Sequence, residues 1–264
     1  MRILVKVGGT LLDDPASLRN IAGEIAHLGA QHKLTVVHGG GKQMTRFLEE
    51  RGIVSRFVNG LRVSDEPVID AAAKVIAGSV NKSFVASITA SGGSAVGLSG
   101  IDGCLTKAVQ LSADLAFVGQ PVSSDGKLLD LLGDARYVPV VACIAGDEHG
   151  TIYNVNADQM AVSCAVAFRA EKLIFLTDVP GVKNENGDVL GHLTSSDVKG
   201  LIESGVAHGG MQAKLEAASL ALSSGVDEVV IAPGQQASIL ARLMTGERLG
   251  TTLSRPPAVR SMAR

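Results

Sequence analysis

The chain of 264 residues has no tryptophan and only 3% aromatic residues. It therefore lacks the stacking surfaces on which single-stranded nucleic acid is held. Neither charge is in excess: 24 Lys and Arg face 26 Asp and Glu, net −2, so there is no basic field for nucleic acid or an anionic membrane surface. Cysteine is scarce. Cys104, Cys143 and Cys164 are odd in number and form no C-x-x-C, which argues against a disulfide framework or a zinc site and for buried thiols in a reducing compartment. No apolar run approaches the ~20 residues of a membrane span. The first such stretch, Ile3 to Val7, is short and interrupted by Lys6, which is no signal peptide. These absences predict a soluble, cytoplasmic protein with neither membrane nor nucleic acid as partner.

What is present is apolar and rich in glycine. Hydrophobic residues make up 46% and charged residues 19%, a balance that excludes disorder as the main state. The 31 glycines follow no collagen-like period and mark tight turns and close approaches of backbone to ligand. Short β-branched runs alternate with helical periodicity. Ile3–Val7, Leu34–Val37, Ala95–Leu98, Val138–Ile144, Leu173–Leu176 and Val229–Ile231 read as strands. Leu18–Leu28, Lys42–Arg51, Val68–Val80, Asn81–Ala90, Ala157–Phe168, Ser196–Glu203 and Met211–Ser223 read as helices. That alternation implies βαβ units and a mainly parallel sheet with helices on both faces. Asp-Gly and Asn-Gly signals at Ser123–Gly126, Asp147–Gly150 and Asn184–Gly187 predict β-hairpins. No low-complexity linker divides the chain, and the weak boundary near Arg169 to Lys172 leaves one continuous fold of two lobes, 1–170 and 171–264. The basic, proline-containing tail from Ser254 to Arg264 is expected to fray.

Several polar clusters fall at predicted strand ends, where a parallel sheet opens its ligand crevice. Lys6-Val-Gly8-Gly9 ends the first strand, and His38-Gly39-Gly40-Gly41 ends the second and opens a helix, a nest of N–H groups suited to phosphate. Neither a Walker A loop nor G-x-G-x-x-G occurs. His38 reads as a packed, hydrogen-bonded histidine rather than a base. Arg62, in a loop Asn59–Asp65 before a helix, could clamp a carboxylate bidentately, although this segment alone reads rather as a surface ion pair, and Ser64 or Asp65 is placed to cap that helix. Asn154-Val-Asn156-Ala-Asp158 carries more polar residues than one helix cap needs. Thr177-Asp178-Val-Pro-Gly181 follows a strong strand. Lys214 is expected in the first turn of a helix from Met211, against the helix dipole, a penalty that a shared phosphate would offset.

Taken together, Lys6-x-Gly8-Gly9, His38–Gly41, Asn59-Gly-Leu-Arg62, Asn154–Asp158, Thr177–Gly181 and Gly210-Met211-x-x-Lys214 resemble, in their order, the motifs of the amino acid kinase family. The resemblance extends from the first strand to Gly250-Thr-Thr-Leu253. It implies a three-layer αβα sandwich with a mainly parallel central sheet. It is closest to members that transfer a phosphoryl group from MgATP to the side-chain carboxylate of N-acetyl-L-glutamate in arginine biosynthesis. By that resemblance Lys6 and Lys214 stabilise the transferring phosphoryl group and Asp158 holds them. Gly8, Gly9, Gly40 and Gly41 offer backbone N–H groups, with Gly40 and Gly41 also at the amino-acid substrate beside Arg62 and Asn154. Asp178, Val179, Pro180, Gly181, Val182 and Lys183, with Val206, Ala207 and His208, surround ATP. Mg²⁺ is carried mainly by the phosphates, with no protein metal site. The family's arginine-inhibited hexamers carry an extra N-terminal helix, which this chain is expected to lack. The expectation is therefore an arginine-insensitive homodimer joined through the helix Val68–Val80. Rival readings are a family kinase acting on a carrier-linked aminoadipate or glutamate or on N-acetylaminoadipate, and a non-catalytic nucleotide-binding regulator. A nitrogen-signalling partner, as for some relatives, is not selected by the sequence.

Overall fold

The computed structural model describes residues 1–255. In chain order its strands are β1 (Arg2–Val7), β2 (Lys33–His38), β3 (Phe57–Val58), β4 (Leu61–Arg62), β5 (Ala95–Ser99), β6 (Thr106–Gln110), β7 (Val118–Ser124), β8 (Val138–Ala142), β9 (Ile144–Gly146), β10 (Ile152–Val155), β11 (Lys172–Thr177), β12 (His192–Leu193), β13 (Glu228–Pro233) and β14 (Thr251–Ser254). The helices are α1 (Gly9–Asp13), α2 (Pro15–Gln31), α3 (Gly41–Glu49), α4 (Glu66–Ala72), α5 (Asn81–Ala90), α6 (Lys127–Asp134), α7 (Ala157–Ala167), α8 (Ser195–Glu203), α9 (Gly209–Ser223) and α10 (Ile239–Met244). A π-helical stretch, Ala73–Val80, joins α4 to α5 without a break.

Eight strands form the central sheet in the order β12-β14-β13-β11-β1-β2-β8-β5. From β13 to β5 every neighbour is parallel, while β14 runs antiparallel to β13 and β12 follows β14. Ile3, Leu4, Val5 and Val7 of β1 are fully buried, as are Leu173, Ile174, Phe175 and Leu176 of β11. Such unbroken apolar runs belong to strands covered on both faces. Helices α2, α5 and α10 lie on one side; α6, α7, α8 and α9 lie on the other. The result is the expected αβα sandwich.

The chain order makes β1 the pivot. It has β2 on one flank and β11 on the other, so the connections depart in opposite directions from its carboxyl end, and a crevice opens there. The sheet continues across the predicted lobe boundary at residue 170, which falls between α7 and β11.

Some local readings change. Ser123–Gly126 is no hairpin: β7 runs straight into α6, and Gly126 has an ordinary φ of −73°. Val138–Ile144 is two strands, β8 and β9. Asn59-Gly60, read as loop, is the turn of the hairpin β3–β4, with both residues at positive φ (49° and 78°) as a type I′ turn requires. The hairpins at Asp147–Gly150 and Asn184–Gly187 are present, the first joining β9 to β10, the second closed by a Lys183–Val189 bridge. A small closed barrel, β10-β7-β6-β9, has no counterpart in the sequence reading. Of the predicted frayed tail, residues 256–264 lie outside the described residues; Arg255 donates to the Leu222 carbonyl at 2.9 Å.

Candidate active site

Helix starts already separate the crevice from the rest of the molecule. The N-termini of α2, α4, α7 and α8 are filled by side chains: Asp14, Asp65, Asn156 and Thr194 accept from their first-turn N–H groups. At α6 and α10, whose cap residues give no side-chain bond, Asp125 and Glu24 accept from first-turn N–H groups, whereas the starts of α1, α3 and α9 have no side-chain cap. Their leading N–H groups have no partner within the helix and remain for an anion. Two of these, α1 and α3, start where β1 and β2 end. A Cβ at Gly9 would sit 3.2 Å from the Gly41 nitrogen and 3.4 Å from that of Gly40. Only glycine leaves those N–H groups uncovered. Gly8 differs from the sequence expectation, because its N–H already donates to the Leu176 carbonyl at 3.1 Å.

Lys6, at the end of β1, is 7% exposed, and Asp158, in the first turn of α7, is 6% exposed. Lys6 Nζ stands 2.7 Å from Asp158 Oδ1, and Lys214 Nζ donates to Oδ2 at 3.1 Å. Burial opposes the charged form of Asp158, but the two ammonium groups outweigh it and hold the carboxyl below its usual range. Two cations on one anion leave a net positive charge. Lys6 and Lys214 have no other ion-pair partner among the described residues, so their remaining protons are available to an anion. Lys214 sits in the second turn of α9, which begins at Gly209. The predicted first-turn conflict with the dipole is thus absent.

His38 is fully buried. Asn81 Nδ2 lies 3.0 Å from its Nε2, and its Nδ1 lies 2.8 Å from the Gly39 carbonyl. Nδ1 must then carry the proton, since a carbonyl only accepts. Burial pushes its pKa down from 6.5 to about 4. The ring is a neutral strut under the glycine turn, as the sequence suggested.

Arg62 closes the other end. Its guanidinium lies over the Phe57 ring, 4.7 Å from the centroid, and donates to Ser55 Oγ, to Thr45 Oγ1 at 2.6 Å and to the Gly41 carbonyl at 3.2 Å. Burial draws its pKa down, against the pull of Glu49. Asn154 Nδ2 donates to Ser64 Oγ at 3.0 Å, and Ser64 Oγ donates to the Arg62 carbonyl at 3.0 Å. The two residues expected at the acceptor are thereby linked. Thr45, Ser55 and Ser64 were not singled out as site residues from sequence: a Thr inside a helix and a Ser in a loop carry no pattern of their own. Asn156, by contrast, is the cap of α7.

The segments expected at the nucleotide leave the same end of the sheet. Asp178, Val179 and Pro180 are exposed after β11. Gly181 and Val182 are buried; the Val182 N–H donates to Thr251 Oγ1 at 2.8 Å, and Lys183 is exposed. Val206 and His208 lead into α9, while Ala207 is buried. The Val182 and Ala207 side chains pack in the core, so these two residues have only backbone groups to present.

A crevice with uncapped N–H groups and two lysines sharing one buried carboxylate has the charge and donors to receive a phosphoryl group. Fold and site together define an α/β phosphotransferase.

The comparisons agree. The model of the amino acid kinase family matches residues 1–233. The chain is 55% identical over 96% of its length, and 99% of the relative's, to acetylglutamate kinase of Solibacter usitatus. It is 42% identical over 95% of its length, and 88% of the relative's, to acetylglutamate kinase of Bartonella tribocorum. Among solved structures, N-acetylglutamate synthase from Neisseria gonorrhoeae, complexed with coenzyme A and N-acetyl-glutamate, superposes with a TM-score of 0.85 at 26% identity; the match covers 97% of this chain and 59% of the synthase. This chain belongs to the amino acid kinase family.

Proposed function

We propose that the chain transfers the γ-phosphoryl group of ATP to the side-chain carboxylate of N-acetyl-L-glutamate, the acetylglutamate kinase step of arginine biosynthesis. The observation that carries this reading is the Lys6–Asp158–Lys214 triad beside the Gly9, Gly40 and Gly41 N–H groups. The 55% identity to an acetylglutamate kinase points to the acceptor.

In this reaction a carboxylate oxygen attacks the γ-phosphorus. The bond from phosphorus to the bridging oxygen breaks, and its electron pair leaves with ADP. A carboxylate is already ionised near pH 7, so no proton has to be removed. Catalysis is alignment plus charge stabilisation. Lys6 and Lys214 neutralise the phosphoryl oxygens, the glycine N–H groups of α1 and α3 receive the attacking and equatorial oxygens, and Asp158 keeps the lysines apart. Arg62 takes the α-carboxylate and Asn154 the neighbouring amide. The loop 178–183 and residues 206–208 hold the nucleotide, in a C-terminal lobe 171–264 opposite the acceptor lobe 1–170.

Mg²⁺ accompanies the nucleotide phosphates. Both Asp158 oxygens face lysine ammonium groups, so this carboxylate is committed to the lysines and the metal would be held by the substrate's phosphates. A homodimer is supported by the edge position of β5 and by small residues, Ala73, Ala77 and Gly78, half-exposed on the adjoining helix. No described helix is long and apolar enough to cross a membrane, in keeping with a cytoplasmic setting.

The test is ADP release from MgATP with hydroxylamine present, over N-acetylglutamate, N-acetylaminoadipate, glutamate, aspartate and UMP. A hydroxamate with N-acetylglutamate alone is the expected result. Turnover with another acceptor, or none with any, overturns the assignment.

A further inference from the structure

Arg62 is held without being neutralised. Thr45 Oγ1 spends its one proton on the Gly41 carbonyl at 2.9 Å, so toward Arg62 it can only accept. It does so from Nη2 at 2.6 Å. Ser55 Oγ accepts from Nη1, Phe57 covers one face of the guanidinium, and the Gly41 carbonyl takes a second Nη2 contact at 3.2 Å. Every anchor is a neutral group. No carboxylate lies within ion-pair distance of Arg62 among the described residues. Thr45 also stands one helical turn after Gly41, so the same hydroxyl ties the arginine to the residue whose N–H faces Gly9.

We propose that Thr45 is a positioning residue for the acceptor: its hydroxyl locks the Arg62 guanidinium onto the first turn of α3 while leaving its charge for the substrate's α-carboxylate. The assignment rests on the acceptor reading above. It is specific to a neutral acceptor at residue 45, because an acidic side chain there would hold Arg62 equally well and cancel the charge.

The test measures KM and kcat for wild type, Thr45→Val, Thr45→Ser and Thr45→Glu, using N-acetylglutamate and N-acetyl-4-aminobutyrate. The second acceptor keeps the amide and the terminal carboxylate but lacks the α-carboxylate. Thr45→Val is expected to raise KM for N-acetylglutamate about tenfold or more with KM for ATP unchanged. Thr45→Ser should restore it, and Thr45→Glu should raise it further than Thr45→Val. On N-acetyl-4-aminobutyrate, Thr45→Val and wild type should have equal kcat/KM. An unchanged KM in Thr45→Val and Thr45→Glu, or the same loss on both acceptors, overturns the proposal. Wild-type enzyme that forms no hydroxamate with N-acetylglutamate overturns the acceptor reading itself, and this proposal with it.

Discussion

Lys6 and Lys214 stand on opposite oxygens of one carboxylate, that of Asp158, at 2.7 and 3.1 Å. Strand β1, helix α7 and helix α9 each contribute one member. The three charges are largely buried, so their balance matters both to folding and to the chemistry.

Replacing the shared anion should damage both. Asp158→Asn keeps the shape but leaves two largely buried ammonium groups unpaired, and breaking such a pair costs about 3–5 kcal/mol. Urea unfolding near pH 7 should show that loss, alongside a kcat at least tenfold lower. The sign with pH follows from the depressed folded-state carboxyl. Its stabilisation is complete above the unfolded pKa of about 3.9 and is lost as pH falls through the lower folded value. The difference in stability between wild type and Asp158→Asn should therefore narrow below about pH 4. A constant difference down to pH 2 would rule out the charge as its source.

Removing either lysine should act on the transition state. Lys6→Ala and Lys214→Ala each delete a preorganised cation, a loss of about 3–4 kcal/mol or 10²–10³ in kcat. KM for either substrate should shift only modestly. Steady-state kinetics decide this, and a loss confined to KM contradicts the assigned role.

His38 should be silent in catalysis and audible in stability. With its pKa pushed from 6.5 to about 4, it is neutral in the folded protein throughout the neutral range. The unfolded chain takes up that proton first, so stability falls as pH drops from 6.5 toward 4, by at most about 3 kcal/mol. His38→Gln should flatten that slope in urea unfolding measured across the window. The kcat of the wild type should show no ionisation near 6.5 between pH 6 and 8. A kcat that titrates there and loses the titration in His38→Gln would restore the histidine as a base.

The sequence was most legible where one strand or one turn carries its own signal. The buried runs of β1, β2 and β11 announce a parallel sheet because both faces are covered. Glycines 8, 9, 40 and 41 stand at strand ends, and the Asp147–Gly150 hairpin follows from its turn residues. The barrel β6, β7, β9 and β10 escaped because β9 and β10 are only three and four residues long and β6, β7 and β10 mix exposed Val109, Val122 and Ile152 with polar residues, a pattern no different from loop. Asn59-Gly60 did carry a type I′ turn signal, but the two-residue strands beside it did not.

By itself, then, the sequence determined the αβα class, the glycine-rich strand ends and, through the order of six short motifs, the family. All of these are local or ordered along the chain. Only tertiary structure decided which N–H groups stay open, since Gly8 is committed to Leu176 while Gly9 faces Gly40 and Gly41. It also decided that Arg62 is steadied by Thr45 and Ser55 rather than by an acid. Those facts depend on the register of β1 against β11 and on the direction in which α3 and the β3–β4 hairpin leave their neighbours. Such geometry arises from the packing of segments far apart in the chain, and no single stretch of residues encodes it.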